Sequence, residues 1–561
     1  MSKKQKTILL IFLIFGTFLQ SLPVIRSGLK YEYGIGYWGA NGHDSIWHLS
    51  LINNISNPFL IDIPTFAGEK LVNYHPFFDI LIASLSKISF ISTTVWLFQI
   101  FPIVSSFIFL FLSFKLGRVV TGKFAGGILL LFFNACANSF GWIVELIKHQ
   151  QLGGESLFWA MQSASNQINP PYILSIIFLM ILLLILINIK QPRNLTPKES
   201  AIVLLLLTLI PITKAYAAVP AFIIFGLYVL RSLFKKHLQP LIILIVSLIL
   251  SVSVFFIYNK MAGGLITFSP FWFINSMIES PDRLYIPFLA NMRYALEASN
   301  KIGPRLIAVQ TIALALFLIG NYGWRIFGFI KIFQKPKFYL NFFLLSIVVL
   351  TLIPILFIQK GTAWNTIQFL YYALFLSNII LTDFIISLPK TKFAKIIVGL
   401  IVTTTFLSNI PTYQNYLGNP APAAINPQEV EALNYLKQQP QGTVLTYPYD
   451  PYIKIGMKTP IPLYAYETTS YVAAYSRHKT FVDDYMNLSN SGYKYEDRLL
   501  ASSLFFEQKD IFRDRGFLVN NQISYIYIVG AQIAKTNLNT KDMYLTKIFD
   551  NQWAQIYQVQ R

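Results

Sequence analysis

Cysteine is almost absent from this chain: Cys136 stands alone among 561 residues. A single thiol excludes an intrachain disulfide and any cysteine-cluster metal site. Charge is scarce too, at 12% of residues against the roughly 25% of soluble domains, so most of the chain cannot be ordinary water-facing surface. Acids are the rarer sign, 25 Asp and Glu against 45 Lys and Arg. Those in the apolar part gather between the hydrophobic runs rather than inside them. There is no internal repeat and no low-complexity segment beyond the apolar runs.

Long apolar runs fill the first three quarters. Stretches of about 17–25 residues cross a hydrocarbon core of about 30 Å, and eleven fit, near 7–25, 94–114, 124–144, 172–189, 200–213, 215–231, 239–258, 306–330, 339–358, 366–389 and 396–412. The runs 200–213 and 215–231 are short and meet at Pro211 and Lys214, so a single broken element is the alternative there. Short cytoplasmic loops accumulate Lys and Arg. With the N-terminus inside, the cytoplasmic segments hold Lys3, Lys4 and Lys6; Lys115, Arg118 and Lys123; Lys190, Arg193 and Lys198; Arg231, Lys235 and Lys236; Arg325, Lys331, Lys335 and Lys337; and Lys390, Lys392 and Lys395. Glu199 is the one acid among them. This predicts a polytopic α-helical membrane protein of about 11 transmembrane helices, N-in and C-out. The net charge of +20 is then topology signal and lipid-phosphate contact, and it calls for no nucleic acid. The first run follows three lysines and lacks a small-residue cleavage site, so it reads as an uncleaved anchor. A bacterial or archaeal plasma membrane is the simplest location, with membrane lipids as partners.

Two domains are expected: a membrane domain, 1–412, with a long first external loop at 26–95, and an extracytoplasmic soluble α/β domain at 413–561. The loop contains an amphipathic stretch, Phe77 to Ile91, suited to lie along a membrane surface. In the C-terminal segment, Asn426 as N-cap, Pro427 at the first helical position and Glu429 at the third begin a helix that runs to about Lys437. Thr443 to Tyr447, Ile523 to Val529 and Ala554 to Val559 read as strands.

The external segments also carry the chemistry-bearing residues. Gly42-His43-Asp44-Ser45-Ile46-Trp47-His48 follows the first span, and Asp44 and His48 are spaced to share a helix face. Asp44 is the leading candidate for a general base; the bland alternative is a carboxylate capping a helix that begins near Ser45. His43, His48 and His75 are candidates for hydrogen bonding to substrate. Asp44, His48 and His75 together offer ligands to a divalent metal ion, although their spacing matches no zinc signature. No other cofactor is implied. Glu145 and Glu155 compete as a second acid. Lys301, Arg305, Arg283, Arg293 and Lys360 are cations outside, against the inside bias. Lys301, Arg305 and Lys360 would suit the phosphate of a lipid-linked donor, with headgroup anchoring as the alternative. Asn365, Gln368 and Tyr372 form a polar stripe that either joins helices or lines a pocket. Tyr471 to His478 and Asp483-Asp484-Tyr485 are dense in the polar and aromatic groups that often bind sugars.

Gly42-His43-Asp44 with His48 in an early external loop, many uneven spans, later external cations and a soluble C-terminal domain resemble the GT-C superfamily of integral membrane glycosyltransferases. The resemblance implies a polyprenyl-phosphate-linked sugar donor, a glycan, lipid or protein acceptor of the envelope, and an inverting transfer with Asp44 as base. The Trp-Trp-Asp-type signature of oligosaccharyltransferases and the paired acids of protein mannosyltransferases are missing, so no particular acceptor is implied, and fold-level likeness does not fix a substrate. The alternatives are a lipid or glycan transporter and a non-catalytic glycan-binding scaffold. A transporter would favour repeats and mid-membrane charge.

Overall fold

A computed structural model describes residues 1–189, 191–259, 266–299, 303–334, 338–536 and 538–560. Two compact units emerge. The first comprises Met1–Pro23, Pro102–Phe256 and Gly263–Asn415; the second comprises Val24–Phe101, Ile257–Ala262 and Tyr416–Arg561. The first loop, expected as an appendage of the membrane domain, thus shares a unit with the C-terminal segment.

Each of the eleven apolar runs is helical, because backbone groups in lipid must be satisfied within their own segment. Among the described residues, eight helices are long and apolar enough to cross a membrane, and a bent pair, Phe124–Cys136 with Gly141–His149, makes up to nine. The pair bends by 48° where Gly141 meets the backbone of Gly154. A Cβ on Gly141 would lie 1.8 Å from the Gly154 carbonyl oxygen, so no larger residue fits the break. The two remaining runs are shorter helices, Pro197–Thr213 and Leu340–Leu356. Lys214, alone and extended, separates Pro197–Thr213 from Ala215–Leu233. Two helices, not one, therefore occupy 200–231.

Arg325 departs from the charge reading. It lies not in a water-facing loop but 2% exposed, in a 3₁₀ continuation of the helix Pro304–Tyr322. Its Nε donates to Asn378 Oδ1 at 2.7 Å, and its Nη1 to Gln162 Oε1 at 3.0 Å and to the Asn138 carbonyl at 3.4 Å. All three partners are neutral. Lys331, by contrast, is 3.4 Å from Asp383, which neutralises the clearest acid within a span. Lys190, Lys260, Lys335 and Lys337 lie outside the described residues.

In the second unit, strands from distant parts of the chain share a sheet. Gly34–Tyr37 pairs antiparallel with Ala423–Ile425, in the register Ile35 opposite Ile425 and Tyr37 opposite Ala423. A second sheet has the order Leu545–Asp550, Ala554–Val559, Ile523–Val529, Thr443–Thr446, Lys479–Thr480. The helix Pro427–Lys437 starts as its cap predicts, with Asn426 Oδ1 accepting from the Gln428 amide at 2.9 Å.

Glu429, expected only as a first-turn acid, is fully buried beneath that helix. Its Oε1 accepts from Tyr471 Oη at 2.6 Å and Tyr527 Oη at 3.1 Å. Burial raises its pKa to about 7 despite those bonds. The folded chain then keeps a proton that the unfolded chain releases from about pH 4.5 upward, so this group's contribution to stability falls between about pH 4.5 and pH 7. Glu429→Gln is expected to melt close to wild type at about pH 5 and above it at about pH 8. A lower melting temperature at both values would contradict the assignment.

Candidate active site

His43 and Asp44 open the helix Asp44–Asn54. An acid in the first turn suits the positive end of the helix dipole. His43, the residue before the helix, is buried and held from both sides. Its Nδ1 is 2.8 Å from Asp44 Oδ1 and its Nε2 is 3.0 Å from Asp484 Oδ1. The Asp44 side chain is 56% exposed, whereas that of Asp484 is fully buried. Asp484 is fixed in turn by Asn487, whose Nδ2 donates to both carboxylate oxygens at 3.1 and 3.0 Å. The result is a line of three groups, carboxylate–imidazole–carboxylate, with its Asp44 end at the surface and its Asp484 end buried.

Burial by itself depresses a histidine, but the Asp484 and Asp44 carboxylates hold His43 well above its usual value. The sign of the resulting pH dependence follows. Below about pH 6.5 the imidazole is charged in the folded and unfolded chain alike, and the pairing contributes fully. As pH climbs through the raised value the folded chain loses that proton and the contribution with it. Thermal melts are expected to fall over this alkaline range, and Asp484→Asn is expected to flatten the slope; an unchanged slope would remove His43 as its source.

His48 shares the helix with Asp44 but turns its Nδ1 to Asp79 Oδ1 at 2.7 Å, with Tyr74 Oη 3.3 Å away. Asp79 is fully buried, and burial raises its pKa more than the His48 contact lowers it. It sits on the helix Phe77–Ser89, whose buried side also carries Phe78, Ile82 and Ala83. Sequence reasoning gave Asp79 no role in the site and read Asp484 only as part of a polar, aromatic segment suited to sugars. The signal for Asp79 was present: an acid on the apolar stripe of an amphipathic helix needs a partner. His75 belongs to the same unit, beside Tyr74 with ring centroids 4.9 Å apart. Among the described residues no three His, Cys, Asp or Glu are placed to hold a metal ion, so Asp44, His48 and His75 do not form a ligand set.

The other candidates belong to the first unit. Glu145 Oε2 is 2.9 Å from His149 Nδ1, one helical turn on. Glu155 accepts from Ser165 Oγ and Thr412 Oγ1, both at 2.7 Å, and from the Gln162 amide at 3.4 Å. Burial raises its pKa against those three bonds, and both of its oxygens are committed to the loop it anchors. Arg293 is buried between Glu279 and Glu297, and the Arg283 guanidinium lies over Trp159 at 4.1 Å; both have structural partners. Arg305 and Lys360 are exposed, and Lys301 lies outside the described residues. The polar stripe is internally bonded. Gln368 Nε2 donates to Asn365 Oδ1 at 2.7 Å, Asn365 Nδ2 donates to Gln359 Oε1 at 3.2 Å, and Tyr372 Oη meets Ser175 Oγ at 2.7 Å. Tyr372 therefore joins two helices.

An Archaeoglobus fulgidus oligosaccharyltransferase, solved in complex with zinc and sulfate, matches this structure with a TM-score of 0.50 at 11% sequence identity, over 92% of this chain and 68% of its own. The archaeal oligosaccharyltransferase AglB from Archaeoglobus fulgidus, in complex with an inhibitory peptide and a dolichol-phosphate, gives 0.49 at 11% identity, over 94% and 70%. The arabinofuranosyltransferase AftD from Mycobacteria gives 0.48 at 12% identity, over 100% and 40%. No family model and no curated protein matches the sequence. The first of these likenesses is one of fold: this chain, with helices long and apolar enough to cross a membrane and a sheet-containing C-terminal segment, shares the fold of that oligosaccharyltransferase.

Proposed function

We propose that this chain is a membrane glycosyltransferase that moves a sugar from a polyprenyl-phosphate-linked donor to an envelope acceptor at the external face, with inversion. The observation that carries the reading is the half-exposed Asp44 carboxylate, tethered by a buried His43–Asp484 pair, in a chain that shares the fold of an oligosaccharyltransferase. Asp44 takes the proton of the acceptor hydroxyl as that oxygen attacks the anomeric carbon. The bond from that carbon to the phosphate oxygen breaks, and polyprenyl phosphate leaves as an anion that needs no protonation. Arg305 and Lys360, with Lys301, are assigned to the donor phosphate because they are external cations. The N-terminus is assigned to the cytoplasm and the C-terminal segment to the outside, on the loop charges.

The test is transfer by the full chain in lipid, with a panel of polyprenyl-phosphate sugars and an envelope extract as acceptor. Acceptor-dependent release of polyprenyl phosphate is expected from at least one donor. Failure of every donor to release it in the presence of that extract would sink the proposal.

A further inference from the structure

Glu32 and Tyr33 form the turn between the strands Lys30–Tyr31 and Gly34–Tyr37. Close approach fixes that turn. Gly34 has a φ of +113°, and a Cβ there would lie 1.9 Å from the Ile425 carbonyl oxygen, so only glycine lets the turn press against Ala423–Ile425. Ala424 in turn stands opposite Gly36 on one side and Pro462 on the other. A methyl group beside a residue with no side chain leaves the sheet without bulk there. A pocket of about 430 Å³ opens over Ala424 and Pro462, within the roughly 300–1,000 Å³ of small-molecule sites. Its walls are the Glu32-Tyr33 turn, the start of the helix Pro427–Lys437, and Trp553 from the turn before Ala554–Val559. All of them belong to the second unit.

Both aromatic side chains have their polar tips turned to the protein. Tyr33 Oη accepts from the Ala421 amide at 3.1 Å, and its ring stacks on Tyr31 with centroids 5.2 Å apart. The Trp553 indole nitrogen is buried beside the Glu429 carboxyl. What these residues offer the pocket is therefore flat apolar surface, to which Pro462 adds. The rest of the wall is hydrogen-bonding groups. Glu32 and Gln428 are exposed. Asn426 gives its Oδ1 to the Gln428 amide at 2.9 Å, which leaves its Nδ2 to donate. Asn551 Nδ2 donates to the Gln428 carbonyl at 2.8 Å and ties the Trp553 turn to the helix start.

This set selects among occupants. Among the described residues no Lys, Arg or His lines the pocket, so an anion would meet the Glu32 carboxylate without a counter-charge. A proline-rich peptide suits aromatic walls, but its backbone offers carbonyl acceptors, and a carboxylate needs donors. A neutral sugar ring satisfies both parts of the wall. Its C–H face lies on the aromatic surface, while its hydroxyls donate to Glu32 and accept from the amide groups.

We propose that this pocket binds a neutral sugar residue of a glycan, with Trp553 and Tyr33 on its C–H face and Glu32 on its hydroxyls. The site shares no residue with the line of His43, Asp44 and Asp484, and it stands independent of the transfer reaction.

The test uses the full chain in lipid nanodiscs and saturation-transfer NMR, with neutral methyl hexopyranosides, methyl glucuronoside and a polyproline peptide as probes. Wild type is expected to pass saturation to the ring protons of at least one neutral glycoside. Trp553→Ala is expected to weaken that binding about tenfold or more, and Glu32→Ala about tenfold. A melting curve of each variant reports its fold; Glu32→Ala, at an exposed turn, decides alone where Trp553→Ala does not fold. Saturation of no neutral glycoside overturns the proposal, as does binding by Glu32→Ala equal to wild type. Tighter binding of the glucuronoside or of the polyproline peptide than of every neutral glycoside overturns it too. Because binding is read without turnover, a chain that binds glycosides but releases no polyprenyl phosphate keeps this inference and loses the enzymatic one.

Discussion

Asp44→Asn is expected to lower sugar transfer by roughly 10²–10⁴-fold, the usual worth of a positioned general base, while the fold persists. The amide oxygen of Asn occupies the place of Asp44 Oδ1, where His43 Nδ1 now sits at 2.8 Å, so the local geometry has a replacement acceptor. The lost charge costs little stability, because Asp44 is half exposed and exposed ion pairs contribute about 0–1 kcal/mol. The measurement is polyprenyl phosphate release by both proteins, beside their melting temperatures. Release within a few-fold of wild type by a well-folded variant would take the base's role away from Asp44.

The second large effect is expected one residue further in. Asp484 touches no substrate in this scheme; it acts through His43, which it holds at Nε2. Asp484→Ala leaves that nitrogen buried without its acceptor, at about 1–3 kcal/mol, and frees the imidazole that tethers Asp44. A misplacement of about 1 Å in a reacting group costs about 10²-fold, so kcat is expected to fall by roughly that factor with KM little changed. Asp484→Asn returns an acceptor but no charge, and should recover most of the rate. Stability loss alone would lower the amount of active protein without this ordering of Ala below Asn. Equal rates in both variants would make Asp484 merely structural.

The membrane helices were legible because lipid permits few alternatives. An apolar run of about 20 residues must be helical to satisfy its backbone. The helix Pro427–Lys437 and the strands Ile523–Val529 and Ala554–Val559 were legible from caps and alternation. Pairings between distant segments were not. Ile35 of Gly34–Tyr37 pairs with Ile425 of Ala423–Ile425 across more than half the chain, and His43 is 441 residues from Asp484; neither partner leaves a local mark on the other. Asp44 and His43 could be named from a cluster, yet what fixes them came from a segment whose polar and aromatic density gave only a general hint of sugar binding. Arg325 misled for a related reason. A cation near the end of an apolar run looks like loop charge until its acceptors, scattered over three other segments, are in place.

That scattering bears on how the chain enters the membrane. A guanidinium in hydrocarbon is expensive unless neighbouring groups receive it, and one of its receivers, Asn378, belongs to the helix Gln368–Ser387, synthesised later. Two of its acceptors, Asn138 and Gln162, are already made when Arg325 emerges, and the set is completed once Gln368–Ser387 packs against it.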